Sequence, residues 1–245
     1  MKYVWTAIAG VLVGALVGAA LLLINPLTAP GEARLEGFDR VLHYALPSDV
    51  LLVTHGGRWP IERQPLDAEP LWEETIRSSA LATIVLRDAS GEPRAVASRL
   101  TSPSTRTDLL TAGLLVIDHW LVSLPDEGTF FVIAESNVST VARDTLVSVQ
   151  LLGREWAGAR AYAPTAGPGI AGMASLIGAA GAFGERSGRA LERYRIDAFT
   201  RVGGVVRAAG ELHVAVDGAP ASAEEAGAPH SGAAESLARG AGGDR

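Results

Sequence analysis

The chain from Leu81 onward alternates runs of β-forming residues with short turn sequences, and this rhythm constrains the fold more than any other feature. The runs hold about seven to ten residues each, a spacing typical of antiparallel barrels and sandwiches. No helical pattern of about ten residues or more separates them, so a parallel sheet with crossover helices is not expected. The sequence therefore predicts a mainly β protein.

Seven strands are predicted in this region. They are LATIVLR from Leu81, RAVASRL from Arg94, AGLLVIDHWLVS from Ala112, TFFVIAESN from Thr129, DTLVSVQLL from Asp144, GRALERYRIDAF from Gly188 and VVRAAGELHVAV from Val205. Residues 170–183 are also apolar, but they are too few to span a membrane as a helix. Their glycines lack the following Lys-Ser/Thr of a phosphate-binding loop, so nucleotide binding is not expected.

The positions of the glycines between and at the ends of these strands can be compared with the sequence patterns of known families. The relevant sequences are GLLVIDHWLVSLPDEGTFFVIAESN, DTLVSVQLLGR and IGAAGAFGERSGRALERY. Their matching positions are Gly113, Gly128, Gly153, Gly178, Gly181, Phe183, Gly188 and Ala190. Over residues 79–216 the chain resembles the dirigent proteins and the allene-oxide-cyclase-like superfamily. The resemblance implies an antiparallel eight-stranded β-barrel of the calycin or dirigent type, which holds one small apolar ligand or is filled by side chains.

The chain departs from that family where function is concerned. The family's Gly-Gly-Thr-Gly turn appears as Gly178-Ala179-Ala180-Gly181, and its His-Asp pair appears as Arg87-Asp88. Of that pair only Asp88 carries over as a candidate site residue. Radical coupling control or epoxide cyclisation is therefore implied by analogy of fold alone.

The N-terminal stretch Trp5–Ile24 contains no charged residue. A helix of that length reaches roughly 30 Å, the thickness of the hydrocarbon core of a bilayer. It predicts a single transmembrane helix that ends before Pro26, since proline disrupts a continuing helix. A cleaved signal peptide is the alternative, although its apolar core is usually shorter, about 7 to 15 residues. Lys2 places the N-terminus in the cytoplasm and the remaining chain outside, which predicts an inner (plasma) membrane protein with a periplasmic or extracellular domain.

Three glycines recur every fourth residue within this stretch, at Gly10, Gly14 and Gly18. Such a strip allows close approach of another helix, from a partner protein or from a second copy of the chain. The alternative is that glycine is simply common in membrane helices.

The predicted organisation has four parts. They are a transmembrane anchor over residues 1–25, a linker over 26–78, the barrel over 79–216 and a disordered Ala-, Gly- and Ser-rich tail over 217–245. The linker is expected to contain a short strand over Ser48–Thr54 and a short helix around Leu71 to Ile76.

The charge balance and the residue types present exclude several functions. The net charge is −6 with acids and bases mixed along the chain, so a nucleic-acid partner is not expected. The chain has no cysteine, and its five histidines show no ligand spacing. No cofactor and no metal are therefore predicted.

The strand from Gly188 carries the first candidate catalytic residues. Alternation places Ala190, Glu192, Tyr194 and Ile196 on one face, opposite Arg189, Arg193 and Arg195. Glu192 is then an acid on an apolar face, where burial would raise its pKa and suit it to general acid or base catalysis. The alternative is a Glu192 paired with a neighbouring arginine or placed at the barrel mouth.

Glu135 and Asn137 are further candidates on the strand from Thr129. Both of its faces begin with apolar residues, so its orientation is ambiguous. With the odd-numbered face inward, both side chains would approach Glu192. The alternative is that they are polar residues in water at the end of a strand. His119, between Asp118 and Trp120, is more simply a core residue than a ligand.

Two functions follow from these observations. The first is a non-enzymatic accessory or assembly subunit of a membrane complex, favoured by the glycine strip and by the weak catalytic signals. The second is a lipid- or isoprenoid-binding barrel with isomerase- or cyclase-like activity that uses Glu192, Tyr194 and Glu135. The possible partners are thus a membrane, a transmembrane helix and an apolar small molecule.

Overall fold

The computed structural model describes residues 5, 8, 10–18, 37–55, 79–145, 149, 152–201 and 204–217. Two α-helices lie in these ranges, α1 over residues 10–18 and α2 over Ser139–Thr145, and a short 3-10 helix spans Ile170–Gly172. The strands are β1 (Arg40–Leu46), β2 (Val50–His55), β3 (Ala80–Arg87), β4 (Pro93–Pro103), β5 (Leu115–Leu124), β6 (Gly128–Asn137), β7 (Trp156–Tyr162), β8 (Thr165–Gly167), β9 (Ala174–Gly181), β10 (Ser187–Thr200) and β11 (Gly204–Val216).

Eight of these strands form a closed antiparallel barrel. Around the ring they follow the order β1, β11, β10, β9, β6, β5, β4 and β3, and the pairing of His43 with Arg87 joins β3 back to β1. The remaining strands extend the ring locally, because β2 pairs with β3, β7 with β10 and β8 with β6. The predicted mainly β fold with an eight-stranded antiparallel barrel is confirmed.

The barrel is filled from one face of each strand, as the period of two in a strand requires. Along β5, Trp120, Val122 and Leu124 are buried while His119 and Leu121 are exposed. Phe130 and Val132 of β6 face the same interior. A second, smaller core lies beside the ring and contains Val149, Trp156, Tyr162, Ile196 and Ala208. The interior is thus largely solid, and polar residues within it stand out.

The barrel begins earlier in the chain than predicted. Residues 40–46, assigned to a linker, form β1, and β1 pairs along its whole length with β11. The strand expected over Ser48–Thr54 is β2, which shares an edge of β3 with β1. The predicted boundary at residue 79 therefore cuts off the strand that closes the barrel.

Other elements also differ from the prediction. The strand expected from Asp144 is wrong at its start, since Asp144 and Thr145 lie in α2. The apolar stretch over residues 170–183, to which no strand was assigned, contains β9. Only Ala174 and Leu176 of β9 are buried, and the remainder of the strand consists mostly of small residues. The alternation of apolar and polar residues is therefore too short to recognise in the sequence. β7 and β8 were not predicted.

The N-terminal prediction rests largely on residues outside the described ranges. Within the described ranges, we find no helix with the length and apolar character needed to cross a membrane. An added Cβ at Gly10, Gly14 or Gly18 in α1 would meet no atom within 4 Å, and a partner helix for this strip stays a prediction. The helix expected around Leu71 to Ile76 and the tail from residue 218 lie outside the described residues.

Candidate functional site

Three charged side chains from three barrel strands meet in the interior. Arg99 comes from β4, Asp118 from β5 and Glu192 from β10, each on the face that points inward. The side chains of Asp118 and Glu192 are 0% and 3% exposed, and that of Arg99 is 21% exposed. Burial of charge is costly unless the charges are paired, so their contacts define the site.

Arg99 bridges the two carboxylates. Its Nε donates to Oδ1 of Asp118 at 2.9 Å, and its Nη1 donates to Oε1 of Glu192 at 2.8 Å. The guanidinium also lies 5.0 Å from the ring centroid of Trp120, within the range of a cation–π contact. Within the part of the chain that the structure describes, Nη2 of Arg99 has no hydrogen bond.

The two carboxylates differ in how they are hydrogen bonded. Asp118 accepts from Arg99 and Thr101 at Oδ1 and from Ser136 at Oδ2, the last at 2.7 Å. Glu192 accepts from Arg99 and from the Tyr44 hydroxyl at Oε1, while its buried Oε2 has no partner among the described residues. Hydrogen bonds to a carboxylate favour its charged form, so Asp118 is the better stabilised anion.

The pKa values follow this difference. Burial raises the pKa of Glu192, and the negative charge of Asp118 adds to the effect, while Arg99 opposes it. For Asp118, burial also acts to raise the pKa, but the charge of Arg99 and the hydrogen bonds from Arg99, Thr101 and Ser136 outweigh it and hold the pKa below its usual value. The pKa of Arg99 is raised well above its usual value because Asp118 and Glu192 outweigh the effect of its burial. The pKa values of the two acids are thus shifted in opposite directions, as in pairs of acids that take separate roles in acid–base chemistry.

Tyr44 reaches Glu192 across a glycine. Tyr194, Gly210 and Tyr44 are direct neighbours on β10, β11 and β1. An added Cβ at Gly210 would overlap Cζ and the hydroxyl of Tyr44, so the ring lies flat over this residue. From there the Tyr44 hydroxyl donates to Oε1 of Glu192 at 2.5 Å.

An apolar cavity of about 220 Å³ lies against this cluster. Its polar lining consists of Arg99, Tyr44 and Tyr194, and Glu192 is not part of the wall. The apolar wall is formed by Leu46, Ala82, Ile84, Val141, Ile196, Val205 and Ala208. A molecule in this cavity would meet a guanidinium and two phenols on one side and aliphatic groups elsewhere.

The residues predicted from the sequence fall in different places. Glu192 and Tyr194 lie at the interior site. Glu135 and Asn137 lie on the outer face of β6, because the even-numbered residues of that strand point inward. There Glu135 pairs with Arg106 at 3.1 Å, and Asn137 binds the backbone of Ala112 and Ser139.

Asp88 is at the surface, in the turn between β3 and β4. It accepts hydrogen bonds from Ser90 and from the backbone of Glu92. These contacts, with that of Ser90 first, lower its pKa. The structure therefore does not bring Asp88 together with Glu192.

Sequence reasoning missed Arg99 and Tyr44 and did not select Asp118. Of these, Arg99 could have been found by alternation, since Ala95, Ala97, Arg99 and Thr101 share one face of β4. An arginine that follows two buried alanines on the same face indicates a buried cation, which needs a carboxylate opposite. Across the described ranges, no three His, Asp or Glu side chains are grouped to hold a metal ion.

The barrel is similar in part to a solved structure. No protein-family model and no curated protein matches the sequence. A solved structure described as "a nonspecific heme-binding cyclase" that "catalyzes [4 + 2] cycloaddition during neoabyssomicin biosynthesis" is similar with 12% identity and a TM-score of 0.34. The similar region covers 82% of this chain and 73% of that one. The predicted resemblance to dirigent proteins is confirmed only as far as the eight-stranded antiparallel barrel.

The first of our two functional predictions is contradicted. We expected a non-enzymatic accessory or assembly subunit, whereas the similar solved structure is that of an enzyme, a cyclase. At 12% identity the likeness transfers neither a reaction nor a ligand to this chain.

Proposed function

We propose that the barrel binds a small, mainly apolar molecule in the apolar cavity beside its buried charged group and acts on it as an isomerase or cyclase by acid–base chemistry. The observation that carries the proposal is the buried group of one cation and two carboxylates beside that cavity. Such a group is costly in a barrel interior, where apolar side chains of similar volume would pack at least as stably. Its retention there is explained by a chemical role.

The cavity has the size and lining for a small ring compound. An engineered cavity of about 150 Å³ in another protein binds benzene, so about 220 Å³ accommodates a ring with a few substituents. The wall offers mostly aliphatic contacts, which suits a short lipid or isoprenoid fragment. Larger molecules would have to leave part of their surface outside.

The charge balance of the cluster selects an uncharged oxygen group on that molecule. Arg99 and the ionised Asp118 neutralise each other, and the raised pKa of Glu192 favours its neutral form. An anionic ligand would leave a net negative charge in a low-dielectric site, whereas a carbonyl would not. Nη2 of Arg99 then donates to the carbonyl oxygen and stabilises the negative charge that develops there as the adjacent carbon gives its proton to solvent, and the proton of Glu192 neutralises that oxygen.

Binding can be tested with 2-acetylnaphthalene, an apolar ring compound that carries one carbonyl. Isothermal titration should show it binding at least about tenfold more tightly than naphthalene, since a hydrogen bond to a charged donor contributes about 1.5 to 3 kcal/mol. Ala208→Leu, which narrows the cavity, should abolish binding. Ala179→Leu adds the same side chain at an exposed position and should leave binding unchanged. Equal binding of 2-acetylnaphthalene to the unaltered protein, Ala208→Leu and Ala179→Leu, or binding to none of the three, would contradict the proposed site.

The acid–base activity can be tested on the same compound. Polarisation of the carbonyl acidifies the acetyl methyl group, so the protein should accelerate its deuteration in D2O, followed by NMR. Glu192→Gln keeps the shape of the side chain but cannot release a proton, and it should remove at least about 90% of the acceleration, within the range typical of acid–base catalysis. Glu185→Gln, in an exposed turn, is the matched control. An unchanged rate in the Glu192 variant would exclude acid–base catalysis by this residue.

A further inference from the structure

Glu192 is separated from the cavity by other side chains. It is 3% exposed and is absent from the cavity wall, so it cannot touch a bound molecule directly. Among the described residues, Arg99 and Tyr44 both hydrogen bond to Glu192 and line the cavity. These two side chains therefore provide the hydrogen-bonded routes by which a proton can pass between the cavity and Glu192.

We infer that Tyr44 is the residue that relays protons between Glu192 and the cavity, and that Gly210 is the residue that positions it. This inference rests on the proposed function, because it supplies the path for the acid–base chemistry described above. Arg99 is excluded as a relay because its pKa is raised well above its usual value, so it stays protonated. The hydroxyl of Tyr44 is both a donor and an acceptor and can pass a proton on.

The relay keeps every atom balanced. In the protonated state that the relay requires, Glu192 carries its proton on Oε1 and donates it to the Tyr44 hydroxyl across the 2.5 Å contact. As the O–H bond of Tyr44 breaks, its proton passes to the oxygen of the bound molecule, and at the same time the O–H bond of Glu192 breaks and its proton passes to the Tyr44 oxygen. Glu192 is left ionised and Tyr44 is left neutral. The reverse transfer restores both groups. Burial and the neighbouring Glu192 raise the pKa of Tyr44 well above its usual value, which favours this concerted transfer over a free phenolate.

Gly210 sets the geometry of the relay. Any side chain at this position would overlap the Tyr44 ring, which reaches Glu192 only by lying over the glycine. The other groups around Glu192 are fixed by separate contacts. Arg99 and Asp118 form the ion pair on β4 and β5, the hydroxyl of Thr165 on β8 accepts from the backbone N–H of Glu192, and Tyr194 lies two residues along β10. None of these contacts requires Gly210.

The relay can be tested without a substrate by infrared spectroscopy. The infrared band of the carbonyl stretch of protonated Glu192 is identified as the band that is lost in Glu192→Gln. After transfer of the protein into D2O, the time course of the shift of this band gives the rate at which the buried proton exchanges. Tyr44→Phe keeps the ring and removes the hydroxyl, and we expect exchange at least about tenfold slower, in line with the loss of one proton-transfer group. Gly210→Ala, which displaces the ring, should also slow the exchange. Tyr162→Phe removes a different buried phenol, which donates to Asp144 at 3.0 Å, and should change nothing.

The outcomes separate the relay from the proposed function. Exchange in both Tyr44→Phe and Gly210→Ala at the rate of the unaltered protein would overturn the relay, as would the absence of a protonated Glu192 band. Slow exchange in these variants together with no binding of 2-acetylnaphthalene would overturn the proposed function and leave the relay standing. Binding and deuteration of 2-acetylnaphthalene by the unaltered protein, together with unaltered proton exchange in both variants, would overturn the relay and leave the proposed function standing.

Discussion

At the scale of single residues, the site depends on two carboxylates that share one cation but differ in their hydrogen bonds. Asp118 receives hydrogen bonds at both oxygens, from Arg99, Thr101 and Ser136. Glu192 receives them at one oxygen only. Because each bond to a carboxylate stabilises its ionised form, the pKa of Asp118 is lowered while that of Glu192 is raised. Asp118 then holds Arg99 in place as a permanent counter-ion.

Replacing Asp118 should transfer its role to Glu192. In Asp118→Asn, the negative charge that helps to raise the pKa of Glu192 is gone, and Arg99 has only Glu192 as a counter-ion. We expect a lower pKa for Glu192 and a loss of about 3 to 5 kcal/mol in the free energy of unfolding at neutral pH, because a buried ion pair is broken. Carbon-13 NMR of the glutamate carboxyl groups over a pH series would measure the pKa. An unchanged or higher pKa for Glu192 would show that the two acids are not coupled.

At the scale of elements, alternation explains what the sequence could and could not predict. The long strands β4, β5, β6, β10 and β11 were predicted because their buried faces are several residues long. β1 buries only Leu42 and Tyr44, and β9 buries only Ala174 and Leu176, so their patterns are too short to recognise. The partners inside the site could not be derived from sequence, because the pairing of Arg99 with Glu192 depends on barrel closure, which places distant strands opposite each other.

Strand β1 is needed to close the barrel, although the sequence suggested a domain that starts at residue 79. A fragment of residues 79–217 lacks the strand between β3 and β11, together with Leu42 and Tyr44 from the core. We expect it to lose the cooperative unfolding transition that a fragment of residues 37–217 retains, since the core is exposed along two open edges. Urea unfolding followed by circular dichroism would compare the two. A sharp transition in the shorter fragment would show that the barrel closes without β1.

At the scale of the whole molecule, the buried cluster links the stability of the barrel to pH. A group whose pKa is raised on folding binds its proton more tightly in the folded state, so Glu192 stabilises the fold below its ordinary pKa of 4.5 and loses this effect as the pH rises through the folded pKa. Asp118, whose pKa is lowered from 3.8, has the opposite effect and loses its stabilisation as the pH falls below that value. The two contributions together favour the fold most near the ordinary pKa values of the two acids.

The contribution of Glu192 can be isolated because glutamine cannot titrate. Between about pH 5 and about pH 8 the free energy of unfolding should fall more in the unaltered protein than in Glu192→Gln, since each pKa unit of the shift is worth about 1.4 kcal/mol. Urea unfolding at both pH values, followed by the fluorescence of the five tryptophans, measures the difference. Glu185→Gln, at an exposed turn, should match the unaltered protein. If the decrease were the same in all three proteins, Glu192 would already be ionised at about pH 5 and would have no proton to supply to the cavity.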